Sequence, residues 1–99
     1  MEQQQQIDIN LSDEIAQGMY SNLVIITHSS SEFILDFVAL MPGIPKGNVR
    51  SRVILTPQNA KRLLSSLADN IKKFEEKNGI IKENIPAENI PIIGNGGLA

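Results

Sequence analysis

No cysteine occurs among the 99 residues. That excludes disulfides, thiolate nucleophiles, iron–sulfur clusters and cysteine-based zinc sites. It also points to the cytoplasm, because small secreted domains commonly rely on disulfides. Tryptophan is absent too. With one Tyr and three Phe, the core must be aliphatic, and a surface for stacking bases is poorly supplied. No apolar run approaches the ~20 residues needed to cross a bilayer, so no membrane partner is expected. The start, "MEQQQQIDIN", has neither the basic residues nor the apolar stretch of a secretion signal.

Basic residues are missing from the first third of the chain. Met1 to Asp36 carries six acids (Glu2, Asp8, Asp13, Glu14, Glu32, Asp36) and no Lys or Arg. Phe37 to Ala68 reverses this, with five bases (Lys46, Arg50, Arg52, Lys61, Arg62) and no acid. The net charge of −2 hides this segregation. It predicts either an anionic partner or pairing of the two halves, within one chain or between chains.

The length fits one small domain, and a chain this short gains from association with a partner. The Gln-rich start, residues 1–6, is expected to be mobile. Residues 7–79 read as a single α+β domain. Within it, "IDINLS" alternates between apolar and polar residues and predicts a first strand. "SDEIAQGM" reads as a connection with a helical turn, begun by Ser12 or Asp13 and ended by Gly18. "YSNLVIITH" and "EFILDFVALM" are strand-like runs separated by the polar turn Ser29–Ser31, hence a hairpin. "PGIPKGN" is a loop, and "VRSRVILT" alternates as a fourth strand.

The strongest pattern is helical. Thr56 can cap, Pro57 suits the first helical position, and Ala60, Leu63, Leu64, Leu67, Ala68, Ile71 and Phe74 form one apolar stripe. Lys77 and Gly79 suit the end of the helix. The fold expected is therefore a small, mainly antiparallel four-stranded sheet with one C-terminal amphipathic helix packed on one face. Phe33, Leu35, Phe37, Ala39 and Met41 form the wholly apolar strand face on which that helix should lie. Residues 80–99 form a tail rich in Ile and Pro, with the tandem "ENIP" units at 83–86 and 88–91. It is expected to dock in part on an apolar surface and to be flexible at its end.

Candidate catalytic groups are sparse. Glu32 and Asp36 lie four apart on one strand, so their Cα atoms are roughly 13 Å apart. That is too far for one metal ion, for a shared proton, or for the carboxyl spacing of glycoside hydrolysis. A solvated strand face, with Arg50 or Arg52 as a cross-strand partner, is the favoured reading. His28 is the sole histidine, and no nucleophile-elbow pattern surrounds the nearby serines. "PGIPKGN" lacks phosphate-loop spacing. The expectation is no catalytic residue, no cofactor and no metal site.

Several motifs resemble those of a family of short bacterial and archaeal proteins of unknown function. They are Tyr20 and Asn22 before the second strand; Glu32, Phe33, Leu35, Asp36 and Phe37 within the third; and Arg52, Ile54, Pro57, Ala60, Lys61, Arg62 and Leu63 where the helix begins. The resemblance spans about Gly18 to Phe74. It implies the strand–strand–strand–helix order and brings no activity with it.

The function expected is that of a non-catalytic interaction or assembly module, a homo-oligomer with the dimer as its simplest form, or a module for another protein. Ile34, Val38 and Leu40 lie opposite the Phe face and are candidates for an oligomer or tail-docking surface. The alternative is nucleic-acid or polyanion binding through Lys46, Arg50, Arg52, Lys61 and Arg62, against which stands a pI of 5.3. An enzyme ranks last.

Overall fold

The computed structural model describes residues 6–83. A short helix α1, Asp13–Ala16, precedes strands β1 (Leu23–His28), β2 (Phe33–Ala39) and β3 (Asn48–Leu55), and helix α2, Pro57–Asn78, follows. The strands form an antiparallel sheet in the order β1-β2-β3. The fold is α+β with an antiparallel sheet and a C-terminal helix.

The sheet has three strands, not four. Residues 7–12 lie outside it, with Ile7, Ile9 and Leu11 exposed. Alternation meets the side-chain requirement of a strand but not its backbone requirement, which is an edge to pair with. Neither β1 nor β3 pairs with this segment. It runs instead into Ser12, whose Oγ accepts from Ile15 N at 3.2 Å and caps α1. Gly18, at φ +80°, follows that turn.

Side chains hold the hairpin ends where backbone pairs run out. Ser29 Oγ accepts from the N–H groups of Ser31 and Glu32, and Ser29 N donates to Glu32 O at 2.9 Å. This closes the β1–β2 turn. At the other end of the pair, Asn22 Nδ2 donates to Leu40 O at 3.0 Å, while Leu40 N donates to Asn22 Oδ1 at 2.8 Å. The Asn22 amide thus stands in for a strand backbone and extends the ladder past its last residue pair. Ser21 Oγ adds a bond to Val38 O. Between β2 and β3 the loop backbone presses on the sheet at Gly47. A Cβ there would lie 2.6 Å from Leu40 Cδ2 and 3.0 Å from Val38 Cγ1.

The register places Val24, Ile26 and His28 of β1, Phe33, Leu35 and Phe37 of β2, and Ser51, Val53 and Leu55 of β3 on one face. Leu23, Ile25, Thr27, Ile34, Asp36, Val38, Arg52 and Ile54 share the other. Only two apolar side chains are buried among the described residues, Leu35 at 7% exposure and Val38 at 4%. Both belong to β2, the central strand.

The helix forms as its sequence predicts. Asn59 N donates to Thr56 Oγ1 at 3.1 Å, Pro57 occupies the first turn, and Gly79 ends α2 at φ 96°. Its packing does not follow the expectation. No residue of α2 is buried, and the helix meets the sheet chiefly along β3, the strand it follows. A single residue, Thr56, separates Leu55 from Pro57, and one capping residue supplies too little chain to turn a long helix back across the Phe face. The element beside Phe37 is instead the α1 segment. Ile15, Met19, Phe37 and Ser51 line a shallow open recess there.

Leu35→Ala is expected to cost about 2–5 kcal/mol in urea unfolding, because it empties the centre of the sheet. Thr56→Ala should cost about 1 kcal/mol through the lost cap. An unchanged midpoint for Leu35→Ala would contradict the position of the core.

Candidate functional site

Asp36 lies opposite Arg52 in the β2–β3 register. The guanidinium grips the carboxylate at two points, with Nε donating to Oδ1 at 2.6 Å and Nη2 donating to Oδ2 at 2.9 Å. Asp36 is the one buried charged residue among those described, while the Arg52 side chain stays mostly exposed. The bonds from Arg52 hold the Asp36 carboxyl below the usual carboxylate range, and partial burial opposes them. Reciprocally, Asp36 holds the Arg52 guanidinium more firmly protonated. This is a structural clasp across two strands, joining the acidic and basic parts of the sequence. The expected cross-strand pairing of the acid is present with Arg52.

Glu32 does not join it. It lies at the β1–β2 turn, and no hydrogen bond links it to His28 among the described residues. The His28 ring stacks on Phe33 across the strand pair, with centroids 5.3 Å apart. No group of three or more His, Asp or Glu capable of holding a metal occurs among the described residues.

The five basic residues are strung out rather than gathered. Lys46 precedes β3, while Lys61 and Arg62 follow it, so the ends of the set are separated by the strand's length, roughly 26 Å. Arg52 is occupied by Asp36. Arg50 falls at a bulge, where the register passes from Phe37↔Ser51 to Val38↔Val49 and skips it. The alternation that would set Arg50 and Arg52 side by side is interrupted between them.

Of the residues considered for docking, Val38 is buried and Ile34 and Leu40 are half-buried. Gly47 crowds Val38 and Leu40, so this surface is already partly covered from within. Open apolar surface lies on the segment before β1, at Ile7, Ile9, Leu11 and Ile15, and along α2. Leu64 is 69% exposed, Leu67 53% and Phe74 50%, with Ile71 and Ile81 alongside. Hydrophobic periodicity marks all but Ile81 of these helix-side residues as one stripe and predicts that the sheet covers it, which it does not. Asn70, Ile71, Phe74 and Ile81 line a recess to which no sheet residue contributes.

Residues 1–83 match a family described as "Protein of unknown function (DUF3467)". The chain belongs to this family. The DUF3467 match takes in the Gln-rich start as well as both strand motifs and the helix. Comparison with curated proteins and with solved structures gives no match. No helix among the described residues of this DUF3467 chain is long and apolar enough to cross a membrane. The docking expected of the tail falls mainly on residues 84–99, outside the described part.

Asp36 titrates lower in the folded chain than unfolded. Its contribution is therefore complete above the unfolded value of about 3.9 and is lost as pH falls through the depressed folded value. Asp36→Asn should be less stable than the native chain at pH 7, with the difference shrinking below about pH 4. Thermal midpoints from pH 2 to 7 read this. A difference constant across the range would contradict the clasp.

Proposed function

We propose that this protein is a non-catalytic, self-assembling interaction module of the bacterial cytoplasm, with the homodimer as its working unit. The observation that carries the reading is the mismatch between apolar surface made and apolar surface covered. A fully buried aliphatic side chain contributes about 1.5–3 kcal/mol; among the described residues Leu35 and Val38, still 7% and 4% exposed, are the two apolar side chains that come near that state. Ordering the backbone costs about 1–2 kcal/mol per residue, so two buried side chains do not sustain a three-stranded sheet and a 22-residue helix. A second molecule on the open apolar faces supplies what is missing. The absence of cysteine supports a reducing compartment.

The polyanion reading loses support from the geometry. Arg52 is engaged by a carboxylate, and the remaining bases are spread along the molecule.

Light-scattering molar mass of the full chain, at low and high salt, tests the proposal. The expected result is a salt-stable mass of twice the chain or more, free of nucleic acid. With one Tyr and no Trp, bound nucleic acid would dominate the ultraviolet absorbance. A monomer at both salts would overturn the proposal. A nucleic-acid signal removed by salt would transfer the function to the basic residues.

A further inference from the structure

The exposed stripe of α2 has a finer pattern than amphipathicity alone. Leu64, Leu67, Ile71 and Phe74 follow one another at spacings of three, four and three residues, with Ala60 before and Asn78 after continuing the alternation. This three-and-four spacing is that of a seam between two helices, here widened on its two sides by Leu63 and Ala68. The residues flanking the seam then fall into two rows. One row holds Lys61, Ala68 and Glu75; the other holds Leu63, Asn70 and Lys77.

Turned antiparallel about a two-fold axis, this helix is complementary to itself. Leu64 faces the partner's Phe74, and Leu67 faces the partner's Ile71, with each layer repeated by symmetry. The same register sets Lys61 against the partner's Glu75, again twice, and brings the two Ala68 residues together at the centre. The apolar stem of Lys77 covers the partner's Leu63. A parallel pair has no such match. It places Lys61 opposite Thr56 and Glu75 opposite Asn70, with no opposite charges across the seam.

Within one chain Lys61 and Glu75 cannot meet, because 14 residues of helix separate them by about 21 Å. Neither forms an ion pair among the described residues, whose two salt bridges are Arg52–Asp36 and Lys73–Asp69. Glu75 Oε2 accepts from Ile81 N at 2.9 Å, which steadies the carboxylate and leaves Oε1 to take a lysine. Resting on the assembly reading above, we propose that two copies of this chain pair through antiparallel α2 helices, in the register that sets Lys61 of each against Glu75 of the other.

Charge exchange in the full chain tests both the surface and the register. Lys61→Glu and Glu75→Lys each turn two attractions into two repulsions, and each should weaken self-association on the order of tenfold. The doubly exchanged chain should recover it. Mixing the two single variants should yield a heterodimer in preference to either homodimer, since every flanking pair is then of opposite sign. Circular dichroism should report the same helix content in all of them, because Lys and Glu are both good helix formers. A native dimer indifferent to both exchanges, with no heterodimer on mixing, would overturn the helix register and leave the assembly reading in place. A monomeric native chain would overturn both.

Discussion

The junction between β3 and α2 governs the architecture. Leu55 ends the strand, Thr56 caps the helix, and Pro57 is already in its first turn. With one residue between two rigid elements, the helix direction is set by the strand rather than by the apolar face that would attract it. A helix of 22 residues is about 33 Å long, longer than the strand it leaves. It meets the sheet chiefly along β3 and does not lie across the three strands. The apolar stripe of α2 is left open by this constraint, while on the Phe face Leu35 is buried, Phe33, Phe37 and Ala39 are half-buried and Met41 is exposed.

A sheet so thinly covered is specified by polar contacts to an unusual degree. The two-point grip of Arg52 on Asp36 locks β2 to β3. The Asn22 amide locks β1 to the residue after β2. A one-residue slip would separate both sets of partners, so these contacts fix register as well as adding stability. Charge segregation along the sequence has a direct consequence here, since an acid from the first part meets a base from the second inside one molecule. If Lys61 and Glu75 meet between molecules, the same device sets register twice, once within the sheet and once across the helix pair.

Much of this was legible in the residues. Thr56, Pro57 and Gly79 bound the helix because cap chemistry is local. The Ser12 turn, the Ser29–Ser31 hairpin and the pairing of Asp36 with a basic neighbour are likewise local or nearest-strand effects. The expected first strand was not formed, because alternation in Ile7, Ile9 and Leu11 says which side chains could be covered and not whether the backbone joins an edge, although β1 and β3 each offer one. The helix was assigned to the wrong surface for a related reason. An apolar stripe records that something must cover it, while the length of the connection determines whether its own sheet can. The bulge at Arg50 leaves no mark in an alternating sequence, and the docking surface considered on Ile34, Val38 and Leu40 is closed in part by Gly47, whose small size matters only once the loop is in place. Asn22 belonged to a recognised motif, yet its role needed the position of Leu40.

The distance between two copies of α2 measures the central claim directly. The chain has no cysteine, so Ala68→Cys and Gln58→Cys each give a single spin-label site on the full-length protein. The antiparallel pair predicts strong dipolar coupling between labels at 68, which face each other, and labels at 58 separated by about 30 Å along the axis. Equal short distances at both positions would mean parallel helices. No coupling at 68 in a chain of dimeric mass would place the interface elsewhere and contradict the account.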